Sequence, residues 1–286
     1  MRIKRFRTAV EHKRTQRENL LAKKRKIPKS LCMGVDVLSP TEIWNEAKTF
    51  LCNQDSSRVT NVHDQDVLPQ LLYHLKVDFS TKIKCKVLKR LSLILAYGTD
   101  EQRSAVVFAD AVPLVSTCCR SSNDERVMYR SVQFFDDLYR GNDAKLRDYL
   151  LQQGITYFLE CFLVPDVPHS VLGLVAKVTR TLCCSINSEA QPVELAHALL
   201  VILCELMNHS FWLVLVHAVD GLSSLTDYKE TCALVVSSGA LGHLVSVLAH
   251  PHPKVRDAVV RMVRKMYLTS EENARVLDNC GLKYYM

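Results

Sequence analysis

An apolar anchor followed by apolar or small residues three, four and seven positions later recurs five times along this 286-residue chain. The stripes are Leu68/Leu71/Leu72/Leu75, Val112/Val115/Ser116/Cys119, Ile155/Phe158/Leu159/Phe162, Leu199/Ile202/Leu203/Leu206 and Leu241/Leu244/Val245/Leu248. That spacing lays one stripe along a helix and does not match the two-residue period of a strand. Successive anchors stand 44, 43, 44 and 42 residues apart. A repeat of ~40–47 residues is the signature of helical units stacked in series. One such unit cannot bury its stripe alone, so its neighbours must cover it. The expected fold is an extended all-α solenoid, a class that offers long binding surfaces and seldom encloses a catalytic pocket.

Composition supports a folded array. Apolar residues make up 48% of the chain, and nine Gly and nine Pro leave little scope for disorder. The longest apolar runs, 198–204 and 211–216, fall far short of the ~18 residues a membrane span requires, so no membrane association is expected. The basic N-terminus is followed by no apolar segment of the kind that marks secretion, which points to a reducing compartment; cytoplasm and nucleus are the expected locations. Eleven cysteines include no C-x-x-C pair, and most lie inside apolar helical patterns, where a thiol serves as a small hydrophobe. His250 and His252 alternate with Pro251 and Pro253, which reads as a turn between helices rather than a metal site. No Gly-rich phosphate loop, nucleophile elbow or paired-histidine metal motif occurs. Neither an enzyme nor a cofactor is expected.

Charge divides the chain. Residues 1–30 hold twelve Lys or Arg against Glu11 and Glu18, a net +10, while the remaining residues carry a net −3. An arm this basic is a solvated tail, a nucleic-acid contact, or a docking peptide read by another protein. Charge alone leaves the three open. Nucleic acid is disfavoured because no aromatic-rich groove or nucleic-acid module accompanies the arm beyond Phe6.

The expected organisation is therefore the arm (1–30), a linker and first helix (31–66), and the repeat array (67–286). Ser39 and Pro40 open a helix as cap and first residue and carry it to about residue 52. Each array unit is read as three pieces: a short helix, a helix carrying the anchor stripe, and a longer third helix. In the second unit these are 100–109, 111–119 and 124–139. Gly154 and Gly239 stand just before the anchors Ile155 and Leu241, where two short helices meet at a sharp angle that a side chain with Cβ resists. A sixth unit starts near residue 271 and ends soon after the Asn279-Cys280-Gly281-Leu282 junction.

Ser238-Gly239-Ala240-Leu241 with Leu244, Val245 and Leu248, followed by Lys254-Val255-Arg256, resembles an armadillo repeat. Gly98-Thr99-Asp100-Glu101-Gln102 leading to Ala111-Val112-Pro113-Leu114 resembles a repeat junction of importin-α, as does Arg147-Asp148-Tyr149-Leu150. Arg2, Lys4, Arg5 and Arg7 around Ile3 and Phe6 resemble the start of that family's importin-β-binding arm, and Lys13, Arg14, Arg17, Lys23, Lys24, Arg25 and Lys26 continue it. The resemblance covers nearly the whole chain. It implies an adaptor in protein import into the nucleus: the arm binds importin-β, and a concave groove binds nuclear localisation signals. In that family the arm also mimics cargo and folds back into the groove.

The family's third helices carry a Trp and, four residues later, an Asn, which sandwich cargo lysines and bond the cargo backbone. The repeat register puts Gln133 and Asp137 at those places in the second unit, Lys177 and Thr181 in the third, Asp220 and Ser224 in the fourth, and Arg261 and Lys265 in the fifth. The first unit offers Lys89 or Arg90, and Trp44 and Trp212 stand elsewhere. Each lost cation–π contact forfeits ~0.5–2 kcal/mol, so several together cost decades of affinity. Asp137 and Asp220 are expected to attract a basic signal, and Lys177, Arg261 and Lys265 to repel one. The alternative function is a non-transporting scaffold or competitor that has lost cargo recognition. Six units rather than the family's ten imply that a second cargo site and the export-factor region are missing.

Overall fold

The computed structural model describes residues 64–76, 80–140, 149, 153–186 and 193–282. The basic arm and the helix expected at 39–52 lie outside these residues. The described chain is helical and, among those residues, contains no strand: α1 (Asp64–Lys76), α2 (Thr81–Tyr97), α3 (Asp100–Phe108), α4 (Ala111–Arg120), α5 (Glu125–Tyr139), α6 (Ile155–Glu160), α7 (His169–Cys184), α8 (Val193–Met207), α9 (Trp212–Leu225), α10 (Lys229–Ser237), α11 (Ala240–Leu248), α12 (Pro253–Thr269) and α13 (Glu271–Asn279).

The anchor stripes lie on α1, α4, α6, α8 and α11, with Phe162 in the turn just after α6. Their apolar members are buried, with one exception: Val245 is 42% exposed, and Val247, two positions on, is buried at 3% in its place. On α11 the buried face runs through Leu241, Leu244, Val247 and Leu248. Anchor helices touch their neighbours along the chain, α1 with α4, α6 with α8 and α8 with α11. The long third helices α2, α5, α7, α9 and α12 pack side by side in that order. The two layers enclose one continuous core from Val67 to Leu282. Its seam between the second and third units is aromatic: the Phe135 and Phe158 rings lie 4.5 Å apart, flanked by Phe134 at 5.4 Å and Phe162 at 5.1 Å. Burying each such ring contributes ~1.5–3 kcal/mol.

The short helix and the anchor helix meet at a left-handed residue. Gly154, Gly239 and Gly281 have φ of 71°, 78° and 73°, as their place before each anchor predicts. In the second unit the position is taken by Asp110, at φ 56°. Aspartate is one of the few residues with Cβ that tolerates this region. The fourth unit departs from the three-piece plan: among the described residues α8 runs unbroken for 15 residues, with no glycine in it and no separate short helix before it. Without a helix breaker, the anchor helix simply extends toward its N-terminus. Elsewhere local signals act as read: Thr99 and Gln102 close a capping box at the start of α3, and Pro253 takes the first turn of α12.

Candidate protein-binding face

The register positions fall on the long third helices, half-buried except for buried Asp137 and exposed Arg261. Gln133 and Asp137 sit on α5, Lys177 and Thr181 on α7, Asp220 and Ser224 on α9, and Arg261 and Lys265 on α12. Thr181 and Ser224 turn their hydroxyls inward, donating to the carbonyls of Lys177 and Asp220 four residues earlier at 3.0 and 3.1 Å. Gln133 Oε1 accepts from Arg130 Nη1 at 2.6 Å on its own helix.

The charged positions are joined from one unit to the next. Lys177 Nζ donates to Asp136 Oδ2 at 2.8 Å, and the same oxygen accepts from Arg140 Nη2 at 2.9 Å. Asp220 stands between two guanidinium groups, Arg261 Nη2 at 3.3 Å and Arg180 Nε at 3.9 Å. Lys265 Nζ donates to the Ser223 carbonyl at 2.6 Å and pairs with Asp227 at 2.5 Å. Cys184 Sγ lies 3.1 Å from Ser224 Oγ. Every one of these interhelical links spans about one repeat, so the stacking that buries the core also sets opposite charges against each other.

The carboxylates are therefore committed. Asp136 and Asp137 are each 4% exposed. Burial pushes the Asp137 carboxyl up to about 6; Arg140, whose Nη1 lies 3.5 Å away, opposes the shift, and neighbouring Asp136 adds to it. His217 on α9 is held below the usual histidine range, by burial first and then by Arg180. Asp137 and Asp220, which the sequence reading expects to attract a basic signal, each stand beside cations of this chain.

Asp136, Arg140, Arg180 and Asp227 were not singled out from the sequence. A signal existed: Asp136 and Lys177, and again Asp220 and Arg261, are opposite charges 41 residues apart, one repeat along. Trp212, which stands away from the register positions, stacks on His252 at 4.4 Å with the rings 7° from parallel, and Lys254 Nζ lies 5.1 Å over its ring. The His-Pro alternation is the expected turn, in which His250 Nδ1 accepts from the His252 amide and its Nε2 sits 3.0 Å from the Ser210 carbonyl. A cavity of about 340 Å³ beside it is lined by His209, His243, His250, Met207 and Val247. Among the described residues no three His, Cys, Asp or Glu cluster closely enough to hold a metal ion.

No protein-family model matches the chain. Solved structures do resemble it. An engineered protein superposes with a TM-score of 0.63 at 19% identity, covering 76% of this chain and 88% of its own. A computationally designed armadillo repeat protein for modular peptide recognition gives 0.64 at 21%, covering 76% and 90%. A designed armadillo repeat protein in complex with the peptide (KR)4 gives 0.63 at 19%, covering 76% and 89%. The fold of this chain is that of an armadillo-repeat solenoid.

Proposed function

We propose that the chain is a non-enzymatic protein-binding adaptor of the importin-α type, acting in protein import between cytoplasm and nucleus. On this reading the arm, residues 1–30, takes importin-β. The observation that carries it is the joining of an arm of net +10 to an armadillo solenoid. The designed neighbour in complex with (KR)4 supports a peptide partner for the fold in general terms.

The cross-repeat ion pairs favour a second reading for the body. A lysine-rich signal would need carboxylates and aromatic faces, yet Asp136 and Asp220 are already engaged by Lys177, Arg140, Arg180 and Arg261. A scaffold or competitor that keeps importin-β and has lost nuclear localisation signals fits that arrangement better. Titrating the full chain with importin-β tests the common part: saturable, salt-sensitive binding is expected, weakened about tenfold or more when Arg2, Lys4, Arg5 and Arg7 become Glu. No measurable affinity would refute it. A lysine-rich signal peptide then separates the two readings, because micromolar binding to the body selects the adaptor and none selects the scaffold.

A further inference from the structure

Charge is segregated between the two layers. The third helices α2, α5, α7, α9 and α12 carry 14 Lys and Arg against 5 Asp and Glu. Among the described side chains, the short and anchor helices carry 5 against 9. A net charge of +9 thus lies on one layer and −4 on the other. Along the basic layer the charge is not even. On α2, Lys82, Lys86 and Lys89 are exposed at helical spacing on one face, and the helix has no acid. Beside it on α5, Arg130 donates to the neutral Gln133 amide and lies 5.9 Å over the Tyr129 ring. In the middle, Asp136, Asp137 and Asp220 offset Arg140, Lys177 and Arg180. At the far end α12 carries five cations against Asp257; Arg261 and Lys265 also face Asp220 and Asp227, and Lys254 and Arg256 lie exposed in the first turn.

We propose that this face docks an extended, acidic segment of a partner protein, held mainly at the α2–α5 end and again at α12. The proposal rests on reading the body as a protein-binding surface and names the chemistry of its partner. Like charges exclude a basic occupant, including the chain's own arm in the self-docked pose that the importin-α resemblance implies. The neutral middle argues for protein over nucleic acid. A nucleic-acid strand carries a phosphate at every nucleotide and would set several against Asp137 and Asp220, whereas a polypeptide can place acids only at the ends. With helices spaced ~8–10 Å apart, the three steps from α5 to α12 span ~27 Å. An extended chain covers that in ~8 residues.

The test uses the full chain and a fluorescein-labelled peptide with an acidic triplet at each end of a Gly/Ser spacer of ~8 residues. Micromolar binding at about 50 mM salt is expected, weakened about tenfold or more by the combined K82E, K89E and R130E substitutions. Circular dichroism and thermal unfolding check that the variant folds, and K254E supplies an independent substitution at the other end. Converting Arg2, Lys4, Arg5 and Arg7 to Glu should leave this binding unchanged. Binding lost only with the arm substitutions would overturn the proposal, as would no binding. Tighter binding of oligo-dT of matching length, lost with K82E, K89E and R130E, would overturn it in favour of nucleic acid. Importin-β affinity is read in parallel, so failure of the face and failure of the arm are distinguishable.

Discussion

Lys177 Nζ reaches 2.8 Å across from α7 to Asp136 Oδ2 on α5, and that oxygen also receives Arg140. A carboxylate this buried loses part of its compensation if the lysine goes. Lys177→Met is expected to cost about 1–3 kcal/mol, and a double-mutant cycle with Asp136→Asn should return a coupling of about 1–2 kcal/mol in urea unfolding. Independent effects would mean that the link between units is decorative.

Burial disfavours the ionised form of Asp137 and pushes its carboxyl up from the ordinary 3.8 to about 6. A raised carboxyl contributes stability that is fully present below pH ~3.8 and is lost as pH rises through ~6. At pH ~7.5 the ionised, buried group is a cost that Asp137→Asn removes. The variant should gain about 1–2 kcal/mol there, and the difference should vanish toward pH ~4. Paired unfolding curves at the two pH values check it.

At Gly239 and Gly154, a Cβ would have no atom within 4 Å, so only backbone conformation resists a side chain. Gly239→Ala and Gly154→Ala should each cost about 1 kcal/mol, with no rearrangement, and Asp110→Gly should gain a few tenths. Thermal unfolding of the three variants measures this. Equal stability for all would remove the left-handed junction as a structural requirement.

Cysteine accessibility gives a fourth check. Cys161 and Cys184 are exposed, whereas Cys183 and Cys119 are buried, and burial pushes the Cys119 thiol up to about 12. Mass spectrometry after brief alkylation should find Cys161 and Cys184 modified and the other two protected until the chain unfolds.

The sequence specifies the fold more openly than the face. Stripes such as Leu199/Ile202/Leu203/Leu206 announce themselves because burial follows local helical spacing, and Gly154 and Gly239 mark bends that few other residues permit. Val245 escaped because a nine-residue helix with several apolar flanks can turn toward Val247 instead. The unbroken α8 shows the same limit: a period counts residues, not helices. On the face, register located Lys177, Asp220 and Arg261 but not Asp136, which becomes the neighbour of Lys177 only once the units stack. That contact depends on the offset between helices, which shows in the sequence only as opposite charges one repeat apart.

The most direct test of the account is anisotropy titration of the full chain with labelled (KR)4 at about 50 mM salt, where attraction by any acidic groove would be strongest. Carboxylates occupied by the chain's own cations predict no saturable binding up to ~100 µM. A Kd of ~10 µM or tighter that weakens when Asp137 and Asp220 become Asn would contradict this account of the face and select the adaptor that carries basic signals.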